Sequence, residues 1–199
     1  MPVTSRQFFE ERISALLDRM FGVALRLTAN RHDAEDLVAA TVAQAWERID
    51  QLDDRSRFDA WLLRSLSNRY ISTLRARRPE VFLDDFDGDD GDGGEPEDGY
   101  LYQRLHSPFL LWWGGPEKEF IGKLVREDIE HAVNALADEY RVVFVLVEVL
   151  GYKYEEAANQ LGVPVGTVRS RLNRARQRLQ KLLWKYRRGN ETAPGSVRT

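Results

Sequence analysis

An acidic run between Pro79 and Gly99 constrains the fold of this 199-residue chain more than any other feature of the sequence. The run holds ten aspartates and glutamates, is interrupted by glycines and contains no lysine or arginine. Such a stretch has too few apolar side chains to offset the conformational entropy lost on folding. It therefore predicts a linker, and we expect the chain to fold as two domains, one on each side of it.

The net charge of −3 hides a segregation of sign along the chain. Without the ten acids of the run, the rest of the chain carries a charge of +7. Nine cations and no acid lie between Gly166 and Arg188. Surfaces of this kind are typical of proteins that bind polyanions, and nucleic acids in particular.

Apolar residues recur at helical spacing on both sides of the linker, which predicts an all-α protein. The three helices expected in the first domain cover residues 5–28, Asp33 to about Ile49, and about Phe58 to Arg77. Asp33 is the expected cap of the second helix, and Pro79 ends the third. Trp46 and Trp61 lie on apolar stripes and are predicted to be core residues.

The second domain is also predicted to be helical. Residues 141–150 are rich in β-branched side chains, but helices flank them, so we expect a buried helix there. Residues 154–161 and those from 165 onward predict a helix-turn-helix. In that motif Gly162 ends the first helix and Pro164 leads into the second.

The second helix of this motif carries polar and basic side chains that suit the major groove of DNA, where arginine binds guanine edges and phosphates. These side chains are Arg169, Ser170, Asn173, Arg174 and Arg176. The spacing alone leaves open a second interpretation, a solvated basic helix in an ordinary bundle.

The composition argues against several other kinds of site. The chain has no cysteine, which excludes disulfides, iron–sulfur clusters and thiol nucleophiles. The three histidines lack the spacing of metal ligands, and no phosphate loop or catalytic constellation is evident. We expect no metal, no cofactor and no enzymatic activity. The N-terminus does not resemble a signal peptide and no apolar run is long enough to span a bilayer, so we expect no membrane insertion and a cytoplasmic location.

The helix-turn-helix sequence closely resembles region 4 of the extracytoplasmic-function sigma factors of bacterial RNA polymerase. The resemblance rests on LGVPVGTVRSRLNRAR at residues 161–176. The first domain agrees, because ALRLTANRHDAEDLV at residues 24–38 is similar to regions 2.1 and 2.2, and FDAWLLR at residues 58–64 is similar to region 2.3. The resemblance implies an alternative sigma factor, which binds core RNA polymerase and directs promoter-specific initiation.

The resemblance and the break in composition together predict the domain bounds. They are residues 1–78 for sigma region 2, 79–118 for an acidic and aromatic linker, 119–188 for sigma region 4, and 189–199 for a flexible tail. Three roles stay open for the acids of the linker. They pair with the basic faces and restrain the free protein, form a solvated spacer, or act within the polymerase, where the linker of the family passes near the path of the transcript.

The resemblance also implies three sets of binding residues. For the minus 35 element, Thr167 near a phosphate joins the five side chains of the second helix. For the melted minus 10 strand, the implied residues are Leu52, Asp53, Asp54, Arg55, Ser56, Arg57, Asn68, Arg69, Ser72 and Arg75. For a coiled coil of the polymerase β′ subunit, they are Asp36, Leu37 and Thr41. The β flap, promoter DNA and an anti-sigma factor are further partners that the resemblance implies.

Some positions depart from the usual pattern of the family. Ala39 and Ala40 stand where a Gln-Glu pair is common, and Lys153 occupies the usual serine or threonine cap position. Ser72 replaces a frequent Asp or Asn.

Two other functions account for part of the sequence. A stand-alone helix-turn-helix regulator that binds operators as a dimer would explain the terminal motif but not the first domain. A non-transcribing interaction module or decoy would retain both domains without supporting initiation.

Overall fold

The computed structural model describes residues 5–83 and 126–191, with side chains up to Leu183. All regular structure in these two stretches is helical, which confirms the predicted all-α class. The chain divides into two compact units, the first up to Leu83 and the second beyond it, except that Asn159–Gly162 group with the first. The remainder of the predicted linker, up to residue 118, and the tail from residue 192 lie outside the described residues.

The first unit is built from three helices, each of which packs against the other two. They are α1 (Ser5–Thr28), α2 (Arg31–Arg48) and α3 (Phe58–Arg77). Their shared core contains Met20, Leu27, Phe58, Leu62 and Leu66, all fully buried. These residues are four positions apart in α3 and seven apart in α1, which is one or two helical turns, so one stripe of each helix faces the core. Burying one such side chain contributes roughly 1.5–3 kcal/mol.

Short 3₁₀ turns complete the first unit. They span Ile49–Gln51, Arg55–Arg57 and Pro79–Phe82. Pro79 cannot continue α3, which ends at Arg77 as predicted. Val81 is only 5% exposed, so the first turn of the predicted linker packs on the helices of the first unit.

The start of α2 differs from the sequence-based expectation. Asn30, and not Asp33, caps the helix: its side chain accepts a hydrogen bond from the backbone N–H of Asp33 at 3.1 Å. Asn30 has extended backbone angles, whereas Asp33 already lies in the first turn. Ala29 before it has a φ of 52°, a left-handed conformation that ends α1 sharply.

Within residues 126–191, the structure describes four helices. They are α4 (Arg126–Asn134), α5 (Asp138–Phe144), α6 (Tyr154–Leu161) and α7 (Val165–Glu191). A π-helical turn, Val145–Val149, continues α5, so residues 141–150 are mostly helical as predicted. α7 packs against α4 and α5, and its Leu172, Leu179 and Leu183 are buried.

A buried arginine joins α4 to α5. The guanidinium of Arg141 donates to the carbonyl of Leu136 at 2.7 Å and pairs with the carboxylate of Asp138. The carbonyl of Asn134 accepts a longer bond from the same group. Arg141 therefore satisfies carbonyl groups that have no partner inside the helix at the end of α4.

We predict that Asn30→Ala lowers the free energy of unfolding by about 1 kcal/mol, because the first turn of α2 loses its side-chain acceptor. Urea unfolding of the full chain measures the loss. Asn30→Asp is the matched control, since it keeps an oxygen at the same position and should retain most of the stability. Equal stability of all three proteins would contradict the capping role.

Candidate nucleic-acid interface

The residues of α7 divide between an outward and an inward face. The outward residues are Arg169, Ser170, Asn173, Arg174, Gln177 and Arg178. They form two rows, one beginning at Arg169 and one at Ser170. Successive members of each row are four positions apart, so they lie on adjacent turns of one side of the helix. The inward residues include Leu172, Ala175 and Leu179, which pack in the core of the unit. The structure therefore presents a polar and basic strip on one side of α7.

Several contacts orient this strip. The guanidinium of Arg169 lies over the ring of Tyr154 in α6, 5.9 Å from its centroid. The hydroxyl of Ser170 donates to the carbonyl of Thr167 at 3.1 Å. The guanidinium of Arg178 lies over the ring of Tyr140, 4.1 Å from its centroid. At this distance a cation–π contact holds the guanidinium against α5.

Two of the predicted minus 35 residues are not on the strip. Thr167 is only 9% exposed and Arg176 only 8% exposed. The Nε of Arg176 donates to the carboxylate of Glu148 at 3.1 Å, and its Nη2 pairs with the same carboxylate. Of the six side chains predicted for the minus 35 element, the structure thus presents Arg169, Ser170, Asn173 and Arg174 to solvent, and buries the other two.

The turn between α6 and α7 has the geometry that its sequence predicts. Gly162 has a φ of 66°, and the N–H of Val163 donates to the carbonyl of Ala158 at 3.1 Å. At the start of α6 the N–H of Lys153 donates to the side chain of Glu156 at 3.0 Å. This contact is one half of a capping box, so Glu156 supplies part of the capping that a lysine side chain does not provide.

A polar groove of about 490 Å³ lies between α2 and α3 in the first unit. Its lining residues are Gln44, Ala45, Arg48, Gln51, Trp61, Ser65, Asn68, Arg69, Ser72 and Thr73. The predicted minus 10 residues Asn68, Arg69 and Ser72 therefore line one groove. The guanidinium of Arg69 donates to the amide oxygen of Gln44 at 3.0 Å, which ties the two walls together.

Sequence reasoning missed the α2 wall of this groove. Gln44, Arg48 and Gln51 follow one another at intervals of four and three residues, a polar stripe that could have been recognised beside the apolar one. Trp61 is half-buried and lines the groove, so it is less buried than predicted.

The other predicted minus 10 residues lie away from the groove lining. The side chain of Asp54 caps the turn Arg55–Arg57, accepting bonds from the Ser56 hydroxyl at 2.7 Å and the Ser56 N–H at 2.9 Å. These hydrogen bonds, with Arg57 nearby, hold the pKa of Asp54 below its usual value. The guanidinium of Arg55 lies over the ring of Phe8, 5.0 Å from its centroid.

Leu52 is half-buried and Asp53 exposed at the start of the same loop. Arg75 lies over the ring of Phe82, 4.8 Å from its centroid. The loop and Arg75 thus have their own contacts outside the groove between α2 and α3.

The predicted polymerase residues lie on different sides of α2. Asp36 is exposed, and its Oδ2 lies 3.7 Å from Nε2 of His32. Leu37 is 8% exposed and Thr41 is fully buried, with its hydroxyl donating to the carbonyl of Leu37 at 2.7 Å. Both therefore face the core of the unit, and only Asp36 is available to a partner in this structure.

An apolar groove of about 980 Å³ lies between α1 and α2. Its lining residues are Arg6, Phe9, Glu10, Ile13, Leu17, Asp18, Phe21, Glu35, Val38, Ala39, Val42, Ala43 and Trp46. Leu17 and Trp46 are 42% and 41% exposed, so the prediction that Trp46 is a core residue is wrong. Trp46 instead packs edge-on against Phe9, with ring centroids 5.2 Å apart, at one wall of the groove.

Two kinds of feature are absent from the described ranges. Residues 5–83 and 126–191 contain no cluster of three or more histidine, aspartate and glutamate side chains that could hold a metal ion. In the same ranges, no helix is both long and apolar enough to cross a membrane.

Comparison with known proteins explains why these features occur together. Residues 13–80 match the family described as Sigma-70 region 2, and residues 126–179 match Sigma-70, region 4. The chain is 32% identical over 184 residues to the ECF RNA polymerase sigma factor EcfG of Rhodopseudomonas palustris, covering 92% of this chain and 88% of that protein. The chain belongs to the extracytoplasmic-function family of RNA polymerase sigma factors.

Other relatives of this sigma factor come from further bacteria. It is 31% identical over 188 residues to the ECF sigma factor SigE of Mycolicibacterium smegmatis, covering 93% of this chain and 64% of that longer protein. A solved structure of the sigma factor RpoE of Bartonella quintana, in complex with the anti-sigma factor NepR, matches with a TM-score of 0.53 and 31% identity. That match covers 88% of this chain and 96% of the RpoE chain.

Proposed function

We propose that this alternative sigma factor binds the minus 35 element of its promoters through the outward strip of α7. The observation that carries the proposal is the separation of faces on this helix. Arg169, Ser170, Asn173 and Arg174 share the exposed side, and the opposite side is buried against α4 and α5. A helix anchored in this way can enter the major groove with a fixed row of hydrogen-bonding side chains.

The polar groove of the first unit is our proposed site for the melted minus 10 strand. An unstacked base needs hydrogen-bond partners and a surface that replaces its lost stacking. Asn68, Ser72 and Gln44 offer such partners, and Trp61 offers an aromatic surface in the same groove. The loop Leu52–Arg57, held by the Asp54 cap, is proposed to contact the strand next to the groove.

The apolar groove is our proposed binding site for core polymerase. It exposes Leu17 and Trp46, two large side chains that water solvates poorly, and a partner helix can cover such a groove with an apolar stripe. Ala39, where the family usually has a larger polar residue, lies in the groove lining. The groove lining holds three acids, Glu10, Asp18 and Glu35, and one cation, Arg6, so a partner with basic side chains beside its stripe fits best.

Further partners follow from the family and its relatives. The β′ coiled coil is our proposed occupant of the apolar groove, with Asp36 at its edge, and the β flap is the proposed polymerase contact of the second unit. The complex of RpoE with NepR supports a proposal that an anti-sigma factor controls this chain as well. We place the chain in the cytoplasm, where RNA polymerase works.

Run-off transcription with purified core polymerase tests the proposed function. We expect the chain to yield transcripts that start at a restricted set of genomic promoters. A non-transcribing module would yield none. A stand-alone regulator would instead bind the same DNA tightly as a dimer without polymerase, and it does not explain the match to region 2.

We predict that Arg174→Ala weakens holoenzyme binding to the promoter by about 1–3 kcal/mol and relaxes the preference at one position of the minus 35 element. Binding competition among minus 35 variants measures both effects. Lys181→Ala is the matched control, because it removes an equal charge about two turns further along the same helix. If Arg174→Ala leaves the base preference intact, this side chain does not read the element.

We predict that Asn68→Ala reduces the affinity of the holoenzyme for single-stranded minus 10 DNA by about 1–3 kcal/mol without changing its assembly with core polymerase. Fluorescence anisotropy with a labelled oligonucleotide measures the first quantity, and titration of core polymerase the second. Arg77→Ala, exposed on α3 but outside the groove lining, serves as the control. Loss of assembly in Asn68→Ala would show that this surface belongs to polymerase.

We predict that Ala43→Glu weakens binding to core polymerase by more than about 2 kcal/mol, because the longer charged side chain would stand where the apolar stripe of the partner packs and would lose its hydration there. Ala43 is exposed in the free chain, so the fold should tolerate the change. Ala76→Glu places the same substitution on an exposed position of α3 and should bind normally. Equal affinities for the two variants would remove the apolar groove from the polymerase interface.

A further inference from the structure

We infer that Arg176 contributes to promoter binding as a positioning residue, through Glu148, and does not itself touch DNA. The inference rests on the proposed minus 35 role of α7. Sequence reasoning placed Arg176 among the residues that contact DNA, since it is two positions beyond Arg174 in a basic helix. The structure gives it a different environment, and that environment suggests a different role.

The ion pair between Arg176 and Glu148 is enclosed by the second unit. The two side chains are only 10% and 6% exposed. Both Nε and Nη2 of the guanidinium contact the same carboxylate. Ala175 beside Arg176 is fully buried, and Leu172 and Leu179, one turn away on either side, are nearly so, which places Arg176 on the side of α7 that packs against the unit. A guanidinium in this position cannot reach a phosphate without leaving its partner.

The ion pair joins α7 to the π-helical turn that follows α5. The relative orientation of these two elements determines the direction in which the outward strip of α7 faces. Glu148 belongs to the π-helical turn Val145–Val149, and Gly151, with a φ of 73°, lies three residues before the start of α6. Arg176 lies near the middle of the recognition helix α7. The pair therefore connects the recognition helix to the segment that leads into the first helix of the helix-turn-helix.

A buried ion pair is better suited to fixing a geometry than to adding net stability. The cost of removing two charges from water offsets much of their attraction, whereas the guanidinium fork accepts few orientations of its carboxylate. We therefore assign the pair to holding α7 at the angle at which Arg169, Ser170, Asn173 and Arg174 meet the base edges together.

A double-mutant cycle on promoter binding by the reconstituted holoenzyme tests the inference. Glu148→Gln and Arg176→Met should each weaken binding to a minus 35 promoter by about tenfold, within the range of coupling seen between contacting residues. The double variant should lose no more than the worse single variant. Additive losses, or a loss confined to Arg176→Met, would show that Arg176 acts independently of Glu148.

The salt dependence of binding separates positioning from direct contact. A side chain that binds a phosphate contributes about one unit to the slope of log affinity against log salt concentration. Arg176→Met should leave that slope unchanged. A reduction of about one unit would overturn the inference, because it would mean that the guanidinium neutralises a phosphate.

A merely structural role makes a different prediction from a positioning role. Binding is measured far below the midpoint of thermal unfolding of every variant, so that all are folded. If folded Glu148→Gln binds the promoter as tightly as the parent, the pair serves folding only and the inference fails. The charge-swapped double variant, Glu148→Arg with Arg176→Glu, should bind more tightly than Arg176→Glu alone.

The proposed function and this inference fail in different ways. If the parent holoenzyme shows no preference for a minus 35 element, the role of α7 itself is wrong. If the parent shows the preference while Arg176→Met lowers the salt slope, only the positioning role is wrong. Arg174→Ala should reduce base preference in the same assay whatever the outcome for Arg176.

Discussion

The apolar stripe of α7 is the constraint on which the second unit depends. Leu172, Ala175, Leu179 and Leu183 are buried along one side of the helix, where α4 and α5 pack. This burial fixes the rotation of α7 about its axis, because no other side of the helix offers a comparable row of apolar groups. Once that rotation is fixed, the rows beginning at Arg169 and Ser170 are directed outward. The surface that we propose for DNA is thus a consequence of core packing.

The same argument applies to α2, which serves three surroundings at once. Ala34, Leu37 and Thr41 face the core, a polar row that includes Gln44 faces α3, and the row that includes Val42 faces the apolar groove. An α-helix has 3.6 residues per turn, so a helix that contacts three surroundings has about one residue per turn for each of them. Small side chains suit a helix that has three such surroundings. They keep both grooves open without adding side chains that the core would have to accommodate.

Much of this architecture could be predicted from the sequence. The bounds of α3 follow from Phe58 and from the proline two residues beyond its end, and the helix-turn-helix follows from Gly162 and its neighbours. The differences from expectation share a physical cause. Asn30 caps α2 in place of Asp33, Trp46 is exposed, and Arg176 faces inward. In each case the residue type indicated a role for the side chain. Its actual position depended on where the chain turns or on which helix packs alongside, and neither can be read from the spacing of residues in the sequence.

Some cations of α7 face inward. This basic helix is therefore better suited to sequence-specific contacts with DNA than to sequence-independent binding of phosphates. Of the six cations of α7 with described side chains, Arg171 and Arg176 are buried and Arg178 lies on Tyr140. Fewer cations are left for phosphates, and each phosphate contact that is lost lowers sequence-independent affinity. The whole chain carries a net charge of −3, which opposes DNA binding at long range. In the proposed function, stable attachment to DNA comes from the polymerase, and the outward strip of α7 selects among the sequences to which the polymerase brings it.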